Sequence, residues 1–401
     1  MENGPFSVLV APLDWGLGHA TRCIPIINAL NQQGVRVIVA ANPAQNTLLK
    51  SEFPEIEFIE IPGYEIRYKG GILLKWNLLI RIPSFLKQIK RENRWLDDIL
   101  QRYSIDAVIS DNRFGFFYKK CPCVFITHQL QIQSGIGTSL NAALNPKNSG
   151  DQVRRTPPFT RRWSLAAGRW INRRILKWNY ALIEKFSSCW IPDLAGKFSV
   201  AGQLSHPTRL PAMPVKYIGI LSRFHATEKN IQNNTLLILL SGPEPQRSEL
   251  ENILFSQLAN STINTIVVRG LPGSDLSIPY IRQGVQIWNH LSSNALNELL
   301  NNSEYIVTRS GYSTVMDLLT VKKNAILVPT PGQTEQEYLG YYLHEKKWMF
   351  TVEQKNFNLE KAMNTFRNSE LILPDIPDTN LHDVIGEFLR DLSKRKEIKV
   401  T

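Results

Sequence analysis

The stretch from Ile306 to Gly340, IVTRSGYSTVMDLLTVKKNAILVPTPGQTEQEYLG, constrains the fold more than any other part of the chain. It reads as strand, Ser-Gly turn, helix, strand and polar loop in one run. Tyr305 to Thr308 is a short apolar strand, Ser310 and Gly311 permit a tight turn, and Thr314, Val315, Leu318 and Leu319 recur at helical spacing. Ala325 to Val328 forms the next strand, ended by Pro329 and Pro331 ahead of a polar turn, Gln333 to Glu337. The first turn of such a helix has N–H groups without intrahelical partners, and these receive an anion. Asp317 lies further along the same helix, where a carboxylate can accept hydrogen bonds from ribose hydroxyls. The turn alone could be the plain strand-turn-helix unit of any α/β protein; the complete order reads as a nucleoside-diphosphate site.

Strand and helix signals alternate through the rest of the chain. Ser7 to Ala11 reads as a strand, Ala20 to Gln33 as a helix closed by Gly34, and Val35 to Ala40 as a second strand, forming one βαβ unit. Asp106 to Ser110 and Val124 to Thr127 are further strands of the buried type. Alternation restarts at Thr235 to Leu240, after a polar stretch, Ser222 to Asn234, that serves as a linker. The reading is therefore α/β, with one Rossmann-like doubly wound domain over 1–221, a linker over 222–234 and a second such domain over 235–375. A C-terminal helix falls within 376–401, with Leu381, Val384, Ile385, Phe388, Leu389 and Leu392 on one stripe. Two such sheets leave a cleft between them.

Composition agrees. At 401 residues, 43% hydrophobic and 20% charged, the chain can bury two cores. The opening residues lack a basic leader and go directly into a strand, and there is no apolar run of about 18 residues, so a cytoplasmic protein is expected. Cys23, Cys121, Cys123 and Cys189 form no CxxC pair and no zinc spacing, which fits reduced thiols. A net charge of +11 draws phosphates or anionic lipid to the surface. Nucleic acid is not expected, since no recognition motif accompanies the charge.

The first βα turn, Pro12-Leu13-Asp14-Trp15-Gly16-Leu17-Gly18-His19, carries the second chemical signal. Gly16 and Gly18 let backbone approach a ligand, and His19 opens a helix at the edge where α/β proteins bind ligands. A dinucleotide fingerprint would need a third Gly, where Cys23 stands, and an acid after the second strand, where the chain has Ala40, Ala41 and Asn42. His19 is either a base or a helix-capping, core-satisfied histidine. Its candidate partner is Asp111, at the carboxyl end of a strand of the same sheet; a carboxylate on one ring nitrogen fixes the tautomer and makes the other nitrogen a stronger base. Asp111 could instead cap a turn or pair with Arg113. Asn112, His128 and Gln129 are the next candidates to line that side.

These motifs together resemble the GT-B glycosyltransferases, particularly the family 28 group that holds the peptidoglycan GlcNAc transferase and the diacylglycerol galactosyltransferases. The matching residues are Ser310, Gly311, Thr314, Asp317, Val328, Pro329 and Gln336. The resemblance implies that Ser310, Gly311 and Thr314, beside Arg309, hold the donor diphosphate, that Asp317 holds ribose, and that the loop holds the sugar. The helix acid is usually Glu. Gln336 falls on a sugar-binding Gln in either comparison, with Glu337 beside it in family 28 and Glu335 beside it in the UDP-glycosyltransferases. The turn Gly16 to His19 looks like the family's acceptor-side turn, and the His19–Asp111 pair resembles the dyad of small-molecule UDP-glycosyltransferases, an acid that the peptidoglycan enzyme lacks. Ser241 and Gly242 stand where the family sets a turn against the diphosphate, although Pro243 and Pro245 stiffen it. Arg247 either sits beside phosphate or faces solvent, and Trp288 either stacks on the base or joins the core.

The resemblance implies an inverting transfer of a sugar from a nucleoside-diphosphate donor, UDP above all, to an acceptor hydroxyl. UDP-sugar is then a co-substrate, with no metal and no other cofactor; the Asp-x-Asp motif of metal-dependent transferases is absent. From Gln152 to Ile183 there is no acidic residue, while Arg154, Arg155, Arg161, Arg162, Arg169, Arg173, Arg174 and Lys177 alternate with Trp163, Trp170, Trp178 and Tyr180. Gly70 to Trp95 is a second basic and apolar stretch. Such segments suit an anionic membrane surface, on the inner face of the cytoplasmic membrane, and a lipid or lipid-linked acceptor; the other reading is a solvated face over buried aromatics. A UDP-sugar 2-epimerase of the same fold and a non-catalytic nucleotide-sugar-binding protein are the alternatives.

Overall fold

A computed structural model describes the chain apart from residues 1–4, 15, 62–73, 132–172, 228–231, 275 and 401; it describes no side chain at 74–82, 232–233 or 399–400. Most of the basic stretch 152–183, the start of the stretch 70–95, Trp15 and part of the linker thus lie outside the described residues.

Two parallel sheets organise the molecule. In the first half β1 (Ser7–Pro12), β2 (Arg36–Ala41), β3 (Glu57–Glu60), β4 (Ala107–Asp111), β5 (Cys123–Ile126), β6 (Ser188–Ile191) and β7 (Val215–Tyr217) lie in the order β3-β2-β1-β4-β5-β6-β7. In the second half β8 (Gln232–Leu239), β9 (Asn264–Val268), β10 (Val285–Trp288), β11 (Ser303–Thr308), β12 (Ile326–Leu327) and β13 (Phe350–Thr351) lie in the order β10-β9-β8-β11-β12-β13. This is the two-domain GT-B architecture. The central strands are apolar on both faces, as β1 and β4 show, which fits strands covered by helices on either side. In each half the order reverses beside the first strand, between β1 and β4 and between β8 and β11. Connections diverge there, which opens a crevice at the carboxyl ends.

The register makes that crevice specific. Pro12 pairs with Asp111 on neighbouring strands, so the turn after β1 and the end of β4 lie side by side. Thr308 pairs with Leu239, which does the same for the turns after β11 and β8. One apolar cluster runs through both halves, taking Leu194, Val200, Leu204, Ile220 and Leu221 from the first and Tyr312, Val315, Met316, Tyr338 and Trp348 from the second. The helix Leu381–Val400 packs on the first half: Phe388 meets the Trp190 ring edge-on at 5.5 Å, and Lys396 pairs with Asp106 at 2.9 Å.

Local boundaries differ from the sequence reading in one place that matters. The expected polar turn, Gln333 to Glu337, is the start of the helix Thr334–Glu345, and both Glu335 and Glu337 lie in its first turn. Acids there are favoured by the helix dipole. In the basic segment, 173–183 is helical; Arg173, Arg174 and Lys177 are exposed, whereas Tyr180 is buried and Trp178 packs on Phe85 at 5.6 Å. In this described part the basic side chains are exposed and the aromatics turn inward. Among the described residues no helix is long and apolar enough to cross a membrane. The four cysteines are free thiols.

Candidate active site

The turn after β1 is shaped by its glycines. Gly16 has φ +79°, a conformation that costs other residues strain, and a Cβ on Gly18 would come within 3.1 Å of the Ser313 hydroxyl. Gln45 Nε2 holds the turn by donating to the Leu13 and Gly16 carbonyls at 2.7 and 3.3 Å. The helix Gly18–Gln32 then starts without a side-chain cap and carries His19 at its second position.

His19 Nδ1 lies 2.9 Å from Asp111 Oδ2, across 92 residues of chain. Asp111 is fully buried and pairs with Arg22 rather than with Arg113; Arg113 instead bonds the Pro12 carbonyl and Glu92, each at 2.7 Å. Burial alone would raise the Asp111 carboxyl, but Arg22 and His19 hold it down at about 2. Burial, reinforced by the Arg22 charge, keeps His19 below the ordinary imidazole value against the pull of Asp111.

His128, just past β5, connects this pair to the second half. Its Nε2 lies 2.9 Å from Glu335 Oε1, Gln129 donates to Glu335 Oε2, and its ring stacks on Tyr312 at 4.0 Å and 7°. Burial pushes the Glu335 carboxyl up, yet the contact with His128 brings it net below its usual range. Glu337 turns the other way and accepts from the Gly332 amide at 2.8 Å. Of the two acids, Glu335 is the one that faces the cleft.

The donor-side turn sits opposite. The helix Tyr312–Thr320 starts at Gly311 with no side-chain cap and no acid in its first turn, where Thr314 lies. Its Ser313 hydroxyl donates to the Gly18 carbonyl at 3.0 Å and the Tyr312 hydroxyl to the Pro192 carbonyl at 2.6 Å, so the two turns touch. The Ser310 hydroxyl donates to the Gln336 carbonyl at 2.7 Å, and the Gln336 side chain accepts from the Thr330 amide at 2.9 Å. Asp317 accepts from the Ser222 hydroxyl at 2.6 Å; burial raises it to about 7 against that bond and the Arg223 charge.

Arg223 was not singled out from sequence. Its side chain is 8% exposed, its Nε and Nη1 donate to no partner, and the nearest carboxylate, that of Glu52, is 4.0 Å away. A buried cation with unused donors, within electrostatic reach of Asp317, is suited to an anion. Its place in the polar stretch 222–234, read as a linker, leaves no local sequence signal. Arg22, three residues beyond His19 on one helix face, had such a signal.

Two expected donor-side cations are engaged elsewhere. Arg309 is fully buried and donates to the Val328 carbonyl (3.1 Å), Gln354 Oε1 (2.7 Å) and the Gln246 carbonyl (2.6 Å), tying β11 to its neighbouring loops. Arg247 bonds Glu244, Glu251 and Ser248 at 2.6 to 2.7 Å within its own helix region. Ser241 and Gly242 are exposed after β8, and Asn112 has φ +57° at the end of β4. Trp288 is 46% exposed at the carboxyl end of the edge strand β10 and is not a core residue. A cavity of about 270 Å³ opens between Asp14, Gly16 and Gln45 on one side and Gly270, Leu271 and Ser274 on the other.

Known proteins share this construction. Residues 286–381 match the glycosyltransferase family 28 C-terminal domain. No curated protein matches the sequence. Among solved structures, the glycosyltransferase SnogD from Streptomyces nogalater is similar at 13% identity and a TM-score of 0.58, over 97% of this chain and 100% of that one. The glycosyltransferase VinC, solved in complex with dTDP, is similar at 12% identity and a TM-score of 0.56, with the same coverage. MurG of Acinetobacter baumannii gives 15% identity and a TM-score of 0.52 over 96% and 99%. At these identities the likeness over the whole chain is one of fold: the chain has the GT-B fold, and its second half carries the match to the glycosyltransferase family 28 C-terminal domain.

Proposed function

We propose that the protein transfers a sugar from a nucleoside-diphosphate donor, with UDP as the preferred nucleotide, to an acceptor hydroxyl with inversion at the anomeric carbon. The observation that carries this reading is the His19–Asp111 pair set against the uncapped start of the helix Tyr312–Thr320, the two joined by the Ser313–Gly18 hydrogen bond. His19 Nε2 takes the proton of the acceptor hydroxyl as its oxygen attacks the anomeric carbon. The bond from that carbon to the diphosphate breaks, and its electron pair leaves with the diphosphate. Amides of Gly311 to Ser313 and the Arg223 guanidinium carry the growing charge. Asp317 holds ribose, Trp288 stacks on the base, and Glu335 leaves His128 to accept from the sugar hydroxyls. That VinC was solved with dTDP supports a nucleotide at this cleft and makes thymine the competing base.

For the acceptor, a lipid or lipid-linked glycan at an anionic membrane surface is the reading that the basic charge supports, with Arg173, Arg174 and Lys177 exposed on one helix. Flotation with anionic vesicles tests it, and a protein that stays below the vesicle band removes the membrane from the account. Donor binding is tested by titrating UDP and dTDP into wild type and the Arg223→Met and Asp317→Ala variants. Tight binding by wild type and weakened binding by both variants is expected; unchanged binding by both would place the nucleotide elsewhere.

A further inference from the structure

Arg22 is 3% exposed, and its guanidinium reaches three of the side chains already described. Nε donates to Asp111 Oδ2 at 2.8 Å and Nη2 donates to Asp111 Oδ1. Nη1 lies 3.1 Å from His128 Nδ1, and Nη2 lies 2.8 Å from His19 Nδ1. A guanidinium only donates, and it keeps its charge at any ordinary pH.

That one-way chemistry dictates where protons sit. His128 Nδ1 faces a donor and must accept, so the proton of the neutral ring is on Nε2, which points to Glu335 at 2.9 Å. His19 Nδ1 faces a donor, Arg22, and an acceptor, Asp111, at nearly equal distance. Protonated on Nδ1, it donates to Asp111 and leaves Nε2 bare to act as base. Protonated on Nε2, it accepts from Arg22 and has no lone pair to offer the acceptor.

A histidine buried against an otherwise unpaired carboxylate would hold its proton into the neutral range and could not accept another. Here both Asp111 oxygens already serve Arg22. The charged and titratable groups facing His19 are Arg22 on its own helix, Asp111 from β4, His128 after β5 and Glu335 from the second half. Burial, Arg22 and His128 disfavour the imidazolium and Asp111 favours it, with the first set prevailing.

We propose that Arg22 is a positioning residue that sets the protons of both histidines, holding His128 as the Nε2–H tautomer and, by sharing Asp111, keeping His19 a neutral imidazole available as base. The proposal rests on the reading of His19 as the base for its kinetic consequence, but not for its structural one.

Ring nitrogen-15 shifts, titrated in folded protein without substrate, test it directly. In wild type His128 should carry its proton on Nε2. In Arg22→Met the His19 titration should rise by about one pH unit, as loss of a neighbouring like charge predicts, and the His128 tautomer should mix. Arg22→Lys keeps the charge without the fork, so the His19 titration should stay low. In the transferase assay the acidic limb of kcat/KM should move with the His19 titration. Wild-type His128 protonated on Nδ1 overturns the proposal without any variant, and so does an unmoved His19 titration in folded Arg22→Met. If the shifts behave as expected while no donor supports transfer, the role of Arg22 stands on the spectra and the assignment of the reaction fails.

Discussion

His19 shares one carboxylate with a permanent cation, and this sets its chemistry more than its position on the helix does. Replacing His19 with Ala should lower transfer by about 10²- to 10⁴-fold, the usual worth of a general base, while leaving the thermal midpoint nearly unchanged. Transfer within a few fold of wild type would mean that another group takes the proton. Asp317 gives a prediction about stability. Its folded value, about 7, lies above the ordinary carboxylate range, so its contribution is full below that range and is lost as pH rises through about 7. Denaturation midpoints should therefore fall between about pH 5 and about pH 8 in wild type, and fall less in Asp317→Asn. Equal slopes in the two proteins would contradict the raised value. His19 and Asp111 were legible because a histidine after one strand and an acid ending another share an edge in any doubly wound sheet. Their third partner, Arg22, had a signal in its spacing from His19, but a helical Arg reads equally well as a solvated charge, so spacing alone did not single it out.

Among the elements, the Ser-Gly turn and its helix announced themselves through glycine, spacing and strand punctuation, and the structure places them within a residue or two of the expected bounds. The loop after β12 did not, since two prolines, a glycine and a run of five polar residues, Gln333 to Glu337, hid a helix that starts at Thr334 without a side-chain cap. That difference carries chemistry, because a helical first turn sends Glu335 and Glu337 to opposite sides. The turn and helix of the two halves meet at Gly18. A Gly18→Val substitution should push Ser313 away, lower the thermal midpoint and weaken transfer together; an unaltered midpoint would show that the turns do not depend on this contact. Trp288 offers the opposite pattern. It is half exposed, so Trp288→Ala should leave stability in place while weakening donor binding about tenfold or more, the usual worth of a base stacked on an aromatic ring.

For the whole molecule, the α/β alternation was enough to give two parallel sheets, because strands separated by helices have few other ways to pair. How the halves meet was not legible, since it depends on side chains from distant segments such as Tyr312 and Pro192, or His128 and Glu335. The C-terminal helix follows the same rule. Its apolar stripe predicts burial but not against what; the resemblance to GT-B enzymes implies a return of 376–401 to the first domain, and the structure sets Ile385, fully buried, in the cluster shared with the first sheet. Ile385→Ala should cost about 2–5 kcal/mol, read through the fluorescence of Trp190. The central claim is that the cleft between the halves transfers a sugar with His19 as base. Its most direct test is nucleoside-diphosphate release from a panel of UDP- and dTDP-sugars, with and without lipid acceptors, in wild type and His19→Ala. Acceptor-dependent release in wild type, falling by about 10²-fold or more in the variant, is the predicted result; release that ignores the variant, or none with any donor, would contradict it.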